Sequence, residues 1–493
     1  MMQILSAKQQ KYLDQFTITH EPISSVDLMN RAAQVFTDEI LQDISTDNSV
    51  IVLCGTGNNG GDGFVIFRYL KLVGIDARCY LVPFGTMSED CQVQFDLVKT
   101  KVLLWNSENQ EPDWNENNTI VIDALLGIGS NREAHGELKH AIEWVNSVSC
   151  PVYSVDMPSG LPADEFPSHS CIVRATNTFT FHAPKLTFFL PETAEFAGNW
   201  KILDIGLDQA ESRKQHTRYL SVQADFIQSL IPKRKRFSHK GTYGHGLLIA
   251  GSDGKMGACL LSSEACLRSG AGLLTVHTVS QGKYSLHQRI PEAMTHWDVN
   301  ENELSGEHLP KLSTFSAIGI GPGLGVGKGT RSALEKVLES KLPCVIDADA
   351  LNVLAQHPEL LEKLHENCVL TPHPKEFERL AGSFENSLER LERAIHFAEM
   401  YHCQLVLKDA ITAVINPKGM VSFNSTGNPG MAKGGSGDVL TGIILGCLAQ
   451  GIDPFDAARI AVFHHGSAGD KAKVLKGERA MQPCDLIANL RIE

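Results

Sequence analysis

The fold is indicated most clearly by residues 50–63, which read VIVLCGTGNNGGDG. The apolar start predicts a buried strand at residues 50–54. Five glycines and three amide or carboxylate side chains predict a loop at residues 55–63, and a helix is predicted at residues 64–73. Glycines at such a junction let backbone N–H groups approach a phosphate or a sugar, and Asn and Asp oxygens suit a hard cation or ribose hydroxyls. The alternative is a tight turn whose polar side chains are only solvated.

The same alternation extends outward through the first half of the chain. Apolar runs predict strands at residues 78–82, 119–122 and 152–155, and a polar helix is predicted at residues 89–99. Short buried strands that alternate with helices predict a parallel sheet covered on both faces. In such sheets a ligand binds beyond the carboxyl ends of the strands. Asp123 and Asp156 directly follow two of these strands, so each is either a site residue or a helix cap.

The second half restarts this pattern after a polar segment at residues 208–217. Strands are predicted at residues 247–250, 273–278, 317–320, 344–346, 368–370, 405–407 and 413–415, with a helix at residues 258–268. We therefore predict two α/β domains, residues 1–208 and 222–493, joined by a linker at residues 209–221.

The composition excludes several classes of protein. Hydrophobic residues make up 43% and charged residues 20% of the 493, and 44 Lys and Arg against 57 Asp and Glu give a net charge of −13. The acidic balance argues against binding to nucleic acid or an anionic membrane. The twelve cysteines form no CxxC pair, which excludes the usual zinc-ribbon and thioredoxin spacings. With no signal peptide and no apolar run of membrane-spanning length, we expect a cytoplasmic protein.

Residues 428–442 read NPGMAKGGSGDVLTG and form the sharpest motif of the second half. The glycine-rich turn leads into an apolar helix predicted at residues 439–448, whose free N–H groups suit an oxyanion or a transferring phosphoryl group. Asp438, at the start of this helix, is either a structural cap or a base, and the adjacent glycines favour the base. The Walker A pattern is absent.

Three motifs of the first half, GTGNNGGDG, VIDALLGIG and VDMPSG, together with LMNRAA at residues 28–33, resemble the NAD(P)H-hydrate epimerase family. That family has a Rossmann-like fold and acts on NADHX or NADPHX, the cofactor hydrated at C6. The resemblance implies substrate binding by Asn58, Asn59, Gly60, Gly61 and Asp62, by Gly127, Ile128, Gly129, Ser130, Asn131, Arg132 and Glu133, and by Asp156. It also implies potassium coordination by Asn59, Asp123 and Ser159. Inversion at C6 needs an acid or base; Asp156 is the first choice, and Lys185 is interpreted as a surface lysine that could assist.

The second half resembles the NAD(P)H-hydrate dehydratase family, which has a ribokinase-like fold. The resemblance rests on HKG at residues 239–241, GPGLG at 321–325, TPHPKEF at 371–377, LKDAIT at 407–412 and the Gly437-Asp438 pair. It implies that Ala258, Gly323, His373 and Asp438 contact the hydrated nucleotide. It implies further that Lys408, Asp409, Ala410, Ile411, Thr412 and Gly437 hold ADP or ATP with Mg²⁺. The family has glycine at the position of Asp409. The Asp409 carboxylate adds a negative charge near the place where an anion is expected to bind.

Together the two resemblances imply an α/β protein with an amino-terminal Rossmann-like parallel-sheet domain and a carboxyl-terminal ribokinase-like domain. The expected function is metabolite repair: the enzyme epimerises (R)- and (S)-NAD(P)HX and dehydrates (S)-NAD(P)HX to NAD(P)H at the expense of ADP or ATP. Two alternatives are a ribokinase-like small-molecule kinase with an accessory Rossmann domain and a nucleotide-sensing scaffold. The expected partners are NADHX or NADPHX and an adenine nucleotide, and we expect a homo-oligomer.

Overall fold

The computed structural model describes residues 1–106, 111–115, 117–129, 133–168 and 170–493. Its contacts divide the chain into two compact units, Gln3–Thr217 and Arg218–Glu493, and the second unit also includes Met1 and Met2. No helix among the described residues is both long enough and apolar enough to cross a membrane.

The amino-terminal unit consists of a parallel sheet with helices packed on its two faces. The chain begins with the two-residue strand β1 (Met2–Gln3), which belongs to the sheet of the carboxyl-terminal unit. The helices that follow are α1 (Ala7–His20), α2 (Ser25–Ile40), α3 (Asn58–Leu72), α4 (Glu89–Val98), α5 (Gly136–Ser147), α6 (Pro191–Ala197) and α7 (Gln209–Lys214). The strands are β2 (Ser49–Cys54), β3 (Asp76–Leu81), β4 (Val102–Leu104), β5 (Thr119–Ala124), β6 (Val152–Val155), β7 (Asn177–Phe181) and β8 (Asn199–Leu203).

The strand order of this sheet is β4-β3-β2-β5-β6-β7-β8, and every neighbouring pair is parallel. The parallel sheet predicted from the sequence is confirmed. On β2, Val50 and Val52 enter the core on one face while Ile51 and Leu53 enter the core on the other. Burial on both faces explains why this strand is apolar at every position instead of alternating.

The topology places a crevice beside β2. The chain runs from β2 outward to β3 and β4 and then returns to form β5 on the other side of β2. The connections that leave β2 and β5 therefore diverge, and such a switch point is where open parallel sheets bind their ligands.

The glycine-rich segment after β2 is helical, which corrects the predicted loop at residues 55–63. Helix α3 begins at Asn58, not at residue 64. A Cβ on Gly60 would lie 2.0 Å from the Gly55 oxygen, and one on Gly63 would lie 2.6 Å from Cys54 Sγ. These glycines therefore allow the first turns of the helix to pack directly on the strand that precedes them.

The carboxyl-terminal unit contains an eleven-stranded sheet. Its strands are β9 (Tyr219–Ser221), β10 (His245–Ile249), β11 (Leu273–Thr278), β12 (Met294–Trp297), β13 (Ala317–Ile320), β14 (Cys344–Ile346), β15 (Cys368–Leu370), β16 (Gln404–Leu407), β17 (Thr412–Ile415) and β18 (Val421–Asn424), in addition to β1. The order is β1-β9-β18-β17-β16-β15-β14-β13-β10-β11-β12, and β17 runs antiparallel to both of its neighbours.

Ten helices accompany this sheet. They are α8 (Ala224–Leu230), α9 (Met256–Arg268), α10 (Lys283–Arg289), α11 (Lys328–Glu339), α12 (Asp349–Gln356), α13 (Pro374–Ala381), α14 (Ser387–Met400), α15 (Ser436–Ala449), α16 (Pro454–Lys476) and α17 (Pro483–Asn489). Helix α15 is apolar on all sides because it lies in the core: its residues from Val439 to Ala449 are all buried. Gly442 and Gly446 let α15 approach α9, since a Cβ at Gly442 would lie 2.2 Å from the Ser262 oxygen.

The segment predicted as a linker, residues 209–221, has regular structure. It contains α7, which the Asp208 side chain caps through the Glu211 N–H, and β9, which pairs with β18. The low apolar content of residues 208–217 does not signal an unstructured connection, because a short capped helix at the surface needs few apolar residues.

Because each unit has its own sheet and its own apolar core, we expect residues 1–217 and 218–493 to fold as separate proteins. The second fragment then lacks only the two-residue edge strand β1 of its sheet. Each fragment should give a cooperative thermal transition by circular dichroism and keep one of the two expected activities. Aggregation of both fragments would show instead that the two units share a core.

Candidate active sites

A cavity of about 560 Å³ lies in the amino-terminal unit, beyond the carboxyl ends of β2, β5 and β6. Several predicted binding residues line it: Asn58, Asn59, Asp62, Gly127, Ile128, Gly129 and Asp156. Helix α1 contributes Gln10, Lys11 and Asp14 to the same wall. The motifs that lie far apart in the sequence therefore meet around one space.

Gly60, Gly61 and Glu133 were also predicted to bind substrate, but they are not among the residues that line the cavity. Gly60 packs on the backbone of Gly55, and a Cβ on Gly61 would lie 2.6 Å from Met29 Sδ, so both glycines serve helix packing. Glu133 is exposed and is not among the residues that line the cavity. The predicted contacts Ser130, Asn131 and Arg132 lie outside the described residues.

Lys185 is fully buried, which corrects its interpretation as a surface lysine. Its Nζ lies 3.2 Å from Asp156 Oδ1. The same ammonium donates to Thr180 Oγ1 at 2.9 Å and to the backbone oxygens of Phe181 and Ala183 at 3.2 and 2.9 Å. A buried ammonium persists only when it is paired and hydrogen-bonded, so Lys185 and Asp156 form one unit.

Asp156 is held rigidly at the edge of the cavity. Its Oδ1 also accepts hydrogen bonds from Thr180 Oγ1 at 3.1 Å and from the Phe181 N–H at 3.0 Å. Its backbone has φ +64°, a left-handed conformation that Asp tolerates better than most residues but that still costs energy. Among the described residues no hydrogen bond is made to Oδ2, so this second oxygen is the one free to act on a ligand.

Two further carboxylates face the same cavity. Burial, together with the negative charge of Asp156, raises the pKa of Asp14 to about 6. Burial also raises the pKa of Asp62 well above its usual range, and Asp156 and Asp14 add to that shift. Carboxyl groups whose environments shift their pKa values by different amounts are the usual arrangement for acid and base work at a single site.

Sequence reasoning missed Asp14 and the other residues of α1. The available signal was that α1 has polar residues on its buried face, where Gln10 and Thr17 accompany Leu13. Polar residues at core positions of an amphipathic helix mark either a buried hydrogen bond or a site.

The three predicted potassium ligands lie together around the backbone of Leu126. Asn59 Nδ2 donates to the Leu126 oxygen at 2.9 Å, and the Leu126 N–H donates to Ser159 Oγ at 2.8 Å. Asp123 accepts hydrogen bonds from the hydroxyl groups of Ser159 and Ser154 and from the Ser159 N–H at 2.9 Å. Burial raises the pKa of Asp123, and these hydrogen bonds offset part of that increase because they favour the ionised carboxylate. This set of carboxylate, hydroxyl, carbonyl and carboxamide oxygens fits a hard monovalent cation.

The helix-cap alternative for Asp123 is wrong. The next helix, α5, begins at Gly136 and has His135 at its N-cap. Asp123 instead joins the turn after β5 to the turn after β6, as the hydrogen bonds with Ser159 require.

A second group of candidate site residues lies in the carboxyl-terminal unit, at the carboxyl ends of five parallel strands. Gly251, Gly321, Asp347, Thr371 and Lys408 each lie at most two residues beyond β10, β13, β14, β15 and β16 respectively. The predicted motifs GPGLG, TPHPKEF and LKDAIT therefore all lie along one edge of the sheet, as the rule for parallel sheets requires.

Asp438 lies in the first turn of α15, next to this edge. Gly435, which precedes the helix, has φ +101°, a conformation that favours glycine. Burial, together with the negative charge of Asp347, raises the pKa of Asp438 to about 7. The backbone oxygen of Asp438 accepts a hydrogen bond from Ser262 Oγ at 2.9 Å, which ties the start of α15 to α9. The carboxylate therefore combines a fixed position with a pKa suited to a general base at neutral pH.

The half-buried Lys408 and the buried Asp347 form an ion pair beside the start of α15. The Lys408 Nζ lies 3.0 Å from Asp347 Oδ1, and Thr441 Oγ1 donates to Asp347 Oδ2 at 2.6 Å. A Cβ on Gly437 would lie 3.5 Å from the Lys408 ammonium. The predicted nucleotide residues Lys408 and Gly437 are thus neighbours. Sequence reasoning missed Asp347, although it follows an apolar strand in the same way as Asp123 and Asp156.

The other predicted nucleotide residues follow Lys408 in the chain. Asp409 pairs with Arg390 and accepts a hydrogen bond from the Ala410 N–H at 2.8 Å. The charge that Asp409 adds is therefore offset by a guanidinium group. Ala410 is exposed, and Ile411 and Thr412 are half-buried.

The predicted substrate contacts Ala258 and Gly323 lie side by side, because a Cβ on Gly323 would be 3.3 Å from the Ala258 Cβ. His373 is the N-cap of α13: its Nδ1 accepts hydrogen bonds from the Lys375 and Glu376 N–H groups at 3.2 and 3.4 Å. Burial and the charge of Lys408 lower the pKa of His373. His373 therefore has a structural role at the start of α13, where its Nε2 also lies 3.6 Å from Glu376 Oε1.

Comparisons with known proteins cover almost the whole chain. A family model described as NAD(P)H-hydrate dehydratase matches residues 246–491, and one described as YjeF-related protein N-terminus matches residues 25–187. The bifunctional NAD(P)H-hydrate repair enzyme Nnr of Moorella thermoacetica is 34% identical over 508 residues, which cover 99% of this chain and 95% of that protein. The protein of the same name from Coxiella burnetii is 34% identical over 482 residues, 95% of each chain.

One solved structure is also similar to the second half. It is the ADP/ATP-dependent NAD(P)H-hydrate dehydratase from Bacillus subtilis, co-crystallized with ATP and Mg²⁺. Its sequence is 33% identical, the match covers 54% of this chain and 94% of that chain, and the TM-score is 0.48.

Proposed function

The chain belongs to the family of bifunctional NAD(P)H-hydrate repair enzymes, and we propose that its two units divide the two reactions between them. The carboxyl-terminal unit dehydrates NAD(P)HX, and the cavity of the amino-terminal unit epimerises it. The observation that supports this division best is Asp438, a carboxylate with a pKa of about 7 at a glycine-lined helix start. Membership of the family sets aside the kinase and scaffold alternatives.

In the dehydratase, Asp438 accepts the proton of the C6 hydroxyl group. The hydroxyl oxygen attacks the terminal phosphorus of ADP or ATP, and the bond from that phosphorus to its bridging oxygen breaks, which releases AMP or ADP. The lone pair of the ring nitrogen then expels phosphate from C6, and loss of the C5 proton forms the double bond of NAD(P)H. Phosphorylation thus converts a poor leaving group into a good one.

The start of α15 and Lys408 supply the positive field for this transfer. The first N–H groups of a helix have no partner within the helix and carry partial positive charge, and Lys408 lies beside Gly437. Asp347 holds the Lys408 ammonium in place. A nucleotide anion bound here would face preorganised donors, which is the most effective way to stabilise developing charge.

The Mg²⁺ expected with the nucleotide would bind mainly phosphate oxygens and water, as Mg²⁺ usually does. Asp347, a buried carboxylate at this edge, is the residue that would hold it. The ion would neutralise charge on the phosphates.

In the epimerase, the paired Asp156 and Lys185 act at C6. Inversion requires the hydroxyl group to leave and return, or the ring to open and close, and either route moves a proton. Asp156 is held in place by the Lys185 ammonium, which lies 3.2 Å from Oδ1, and it exchanges this proton through Oδ2. Asp14, with a pKa of about 6, is the second candidate for a proton donor in the cavity.

A potassium ion at Asn59, Asp123 and Ser159 would fix the turns that follow β5 and β6. Its charge would compensate the buried Asp123, and it would hold the predicted loop at residues 127–129 against the substrate.

One assay tests the whole assignment. Chemically prepared NADHX epimers are mixed with the enzyme and either ADP or ATP, and recovery of the near-ultraviolet absorbance of NADH is followed. We expect complete recovery from both epimers, and the two nucleotide arms identify the donor. Recovery from one epimer only would contradict the assigned epimerase activity.

We expect Asp123→Ala to weaken substrate binding to the amino-terminal unit, and we expect replacement of potassium by a bulky organic cation to do the same to the wild type. If both changes remove the same ion, the combined loss should be little greater than either loss alone. Equilibrium binding of an NADHX analogue measures this. Ser154→Ala, which removes a hydrogen bond to Asp123 but no proposed ligand, is the matched control. Fully additive losses, or indifference to potassium, would leave Asp123 with a purely structural role.

A further inference from the structure

A cluster of soft ligands lies at the edge of the carboxyl-terminal sheet opposite to Asp438. Cys344 and Cys368 are the first residues of the neighbouring parallel strands β14 and β15 and are paired in register. Their Sγ atoms are 3.6 Å apart. One ring nitrogen of His365 joins them, and the three ligand atoms all lie within 4.8 Å of one another.

A third cysteine extends this row. Val369 of β15 is paired with Gln404 of β16, so the residue that precedes each, Cys368 and Cys403, continues the same register. Cys403 is fully buried, as are Cys344 and Cys368. Three thiols therefore stand abreast on adjacent strands, although their separation in the sequence gives no recognisable metal-binding motif.

His365 supplies an independent indication of a ligand. Both of its ring nitrogens are buried, and neither has a hydrogen-bond partner among the described residues. Leaving buried polar atoms unpaired is costly, and such exceptions call for an explanation. A bound cation would satisfy one nitrogen, and the partial exposure of the His365 residue provides a path for entry.

We propose that Cys344, Cys368 and His365 bind a zinc ion, with a water molecule as the fourth ligand. Zinc–sulfur bonds of about 2.3 Å in a tetrahedral site place two sulfur atoms about 3.8 Å apart, close to the 3.6 Å found here. A disulfide would need them about 2.05 Å apart. Thiolate and imidazole ligands select zinc over magnesium or calcium. Because the site is at the amino ends of the strands, the ion joins β14 to β15 and takes no part in catalysis.

The protein contains a matched control for this proposal. Cys54 and Cys79 in the amino-terminal unit are also buried, with Sγ atoms 3.5 Å apart. Among the described residues they are not part of any cluster with three possible metal ligands. They represent two thiols that serve only as small apolar side chains. Cys484 is exposed and would bind metal adventitiously, so it is replaced by serine in the reference protein and in every variant.

The test titrates the reduced, chelator-treated full-length protein with Co²⁺ and then with Zn²⁺. We expect one equivalent of Co²⁺ to give sulfur-to-cobalt charge-transfer absorption, which Zn²⁺ abolishes, and we expect zinc to raise the melting temperature. His365→Ala should weaken zinc binding by at least about 10- to 100-fold, while Cys79→Ala should leave it unchanged. His365→Gln keeps more of the side-chain volume and repeats the test if the alanine variant does not fold.

Three results of the titration would overturn the proposal. They are the absence of stoichiometric binding, equal binding by wild type and His365→Ala, and loss of binding in Cys79→Ala. A Cys344–Cys368 disulfide found by mass spectrometry in protein prepared under reductant would also overturn it, because the thiols would then serve a covalent link.

Discussion

Asp438→Asn is expected to lower the rate of dehydration by roughly 10²–10⁴-fold, the usual effect of removing a general base. Asparagine keeps the shape of the side chain and leaves the Ser262 hydrogen bond to the backbone intact. Epimerisation should be unchanged, because that reaction is assigned to the other unit. The measurement is NADH formation from (S)-NADHX, and near-normal formation would remove Asp438 from the mechanism.

The pH dependence provides the control for this variant. Asp438 has a pKa raised to about 7, and only the ionised carboxylate can accept a proton. The wild-type rate should therefore rise with pH up to about 7 and then level, and this rise should be absent in Asp438→Asn. Because the folded-state pKa is above the ordinary value, ionisation costs stability as the pH passes from about 4 to about 7. At pH 8 the variant should melt no lower than the wild type, which separates lost catalysis from lost folding.

Asp156→Asn is expected to lower epimerisation by a similar factor, roughly 10²–10⁴-fold, with dehydration of pure (S)-NADHX intact. Asparagine is the appropriate change because, like aspartate, it tolerates the left-handed backbone at this position. The rate of interconversion of the two epimers, followed by chromatography, measures the effect. Retention of the wild-type rate would mean that another carboxylate, with Asp14 the first candidate, moves the proton.

The Lys185 side chain allows the contribution of folding to be separated from that of catalysis. Lys185→Met leaves Asp156 as an unpaired buried charge, which typically costs about 3–5 kcal/mol. The double variant Asp156→Asn with Lys185→Met removes both charges and should recover stability measured by urea unfolding. It should not recover epimerisation. If activity returned together with stability, the pair would be structural only.

The amino-terminal site illustrates how far sequence reasoning extends. The loop after β2 and the strand-end residues Asp123 and Asp156 were all predicted as parts of one site, and the structure places them beside one cavity or, for Asp123, in the turns that support it. This was possible because parallel strands present their carboxyl ends at a common edge. The pattern that predicts each of these residues, an apolar strand followed directly by a polar residue, spans only a few consecutive positions and can be recognised in the sequence alone.

The site proposed for dehydration was predicted from recognisable motifs, to which Asp438 and Lys408 belong. Asp347 was missed even though it has the same strand-end pattern, because its importance comes from the Lys408 ammonium 3.0 Å away. The two residues are 61 positions apart, so no local pattern could connect them. Likewise, Asp409 gains a compensating charge from Arg390, which sequence alone could not pair with it.

The sequence by itself determined the alternation of strands and helices, the parallel sheet of the first half, the family and the positions of Asp156 and Asp438. The family follows from the resemblance of the motifs, and the rest follows from periodicity, from glycine-rich turns and from residues adjacent in the chain. Only the tertiary structure decided that α3 begins at Asn58, that Lys185 is buried, and that His365 meets Cys344 and Cys368. The physical reason is that burial, pairing and pKa depend on distances between atoms that are remote along the chain, and packing alone sets those distances.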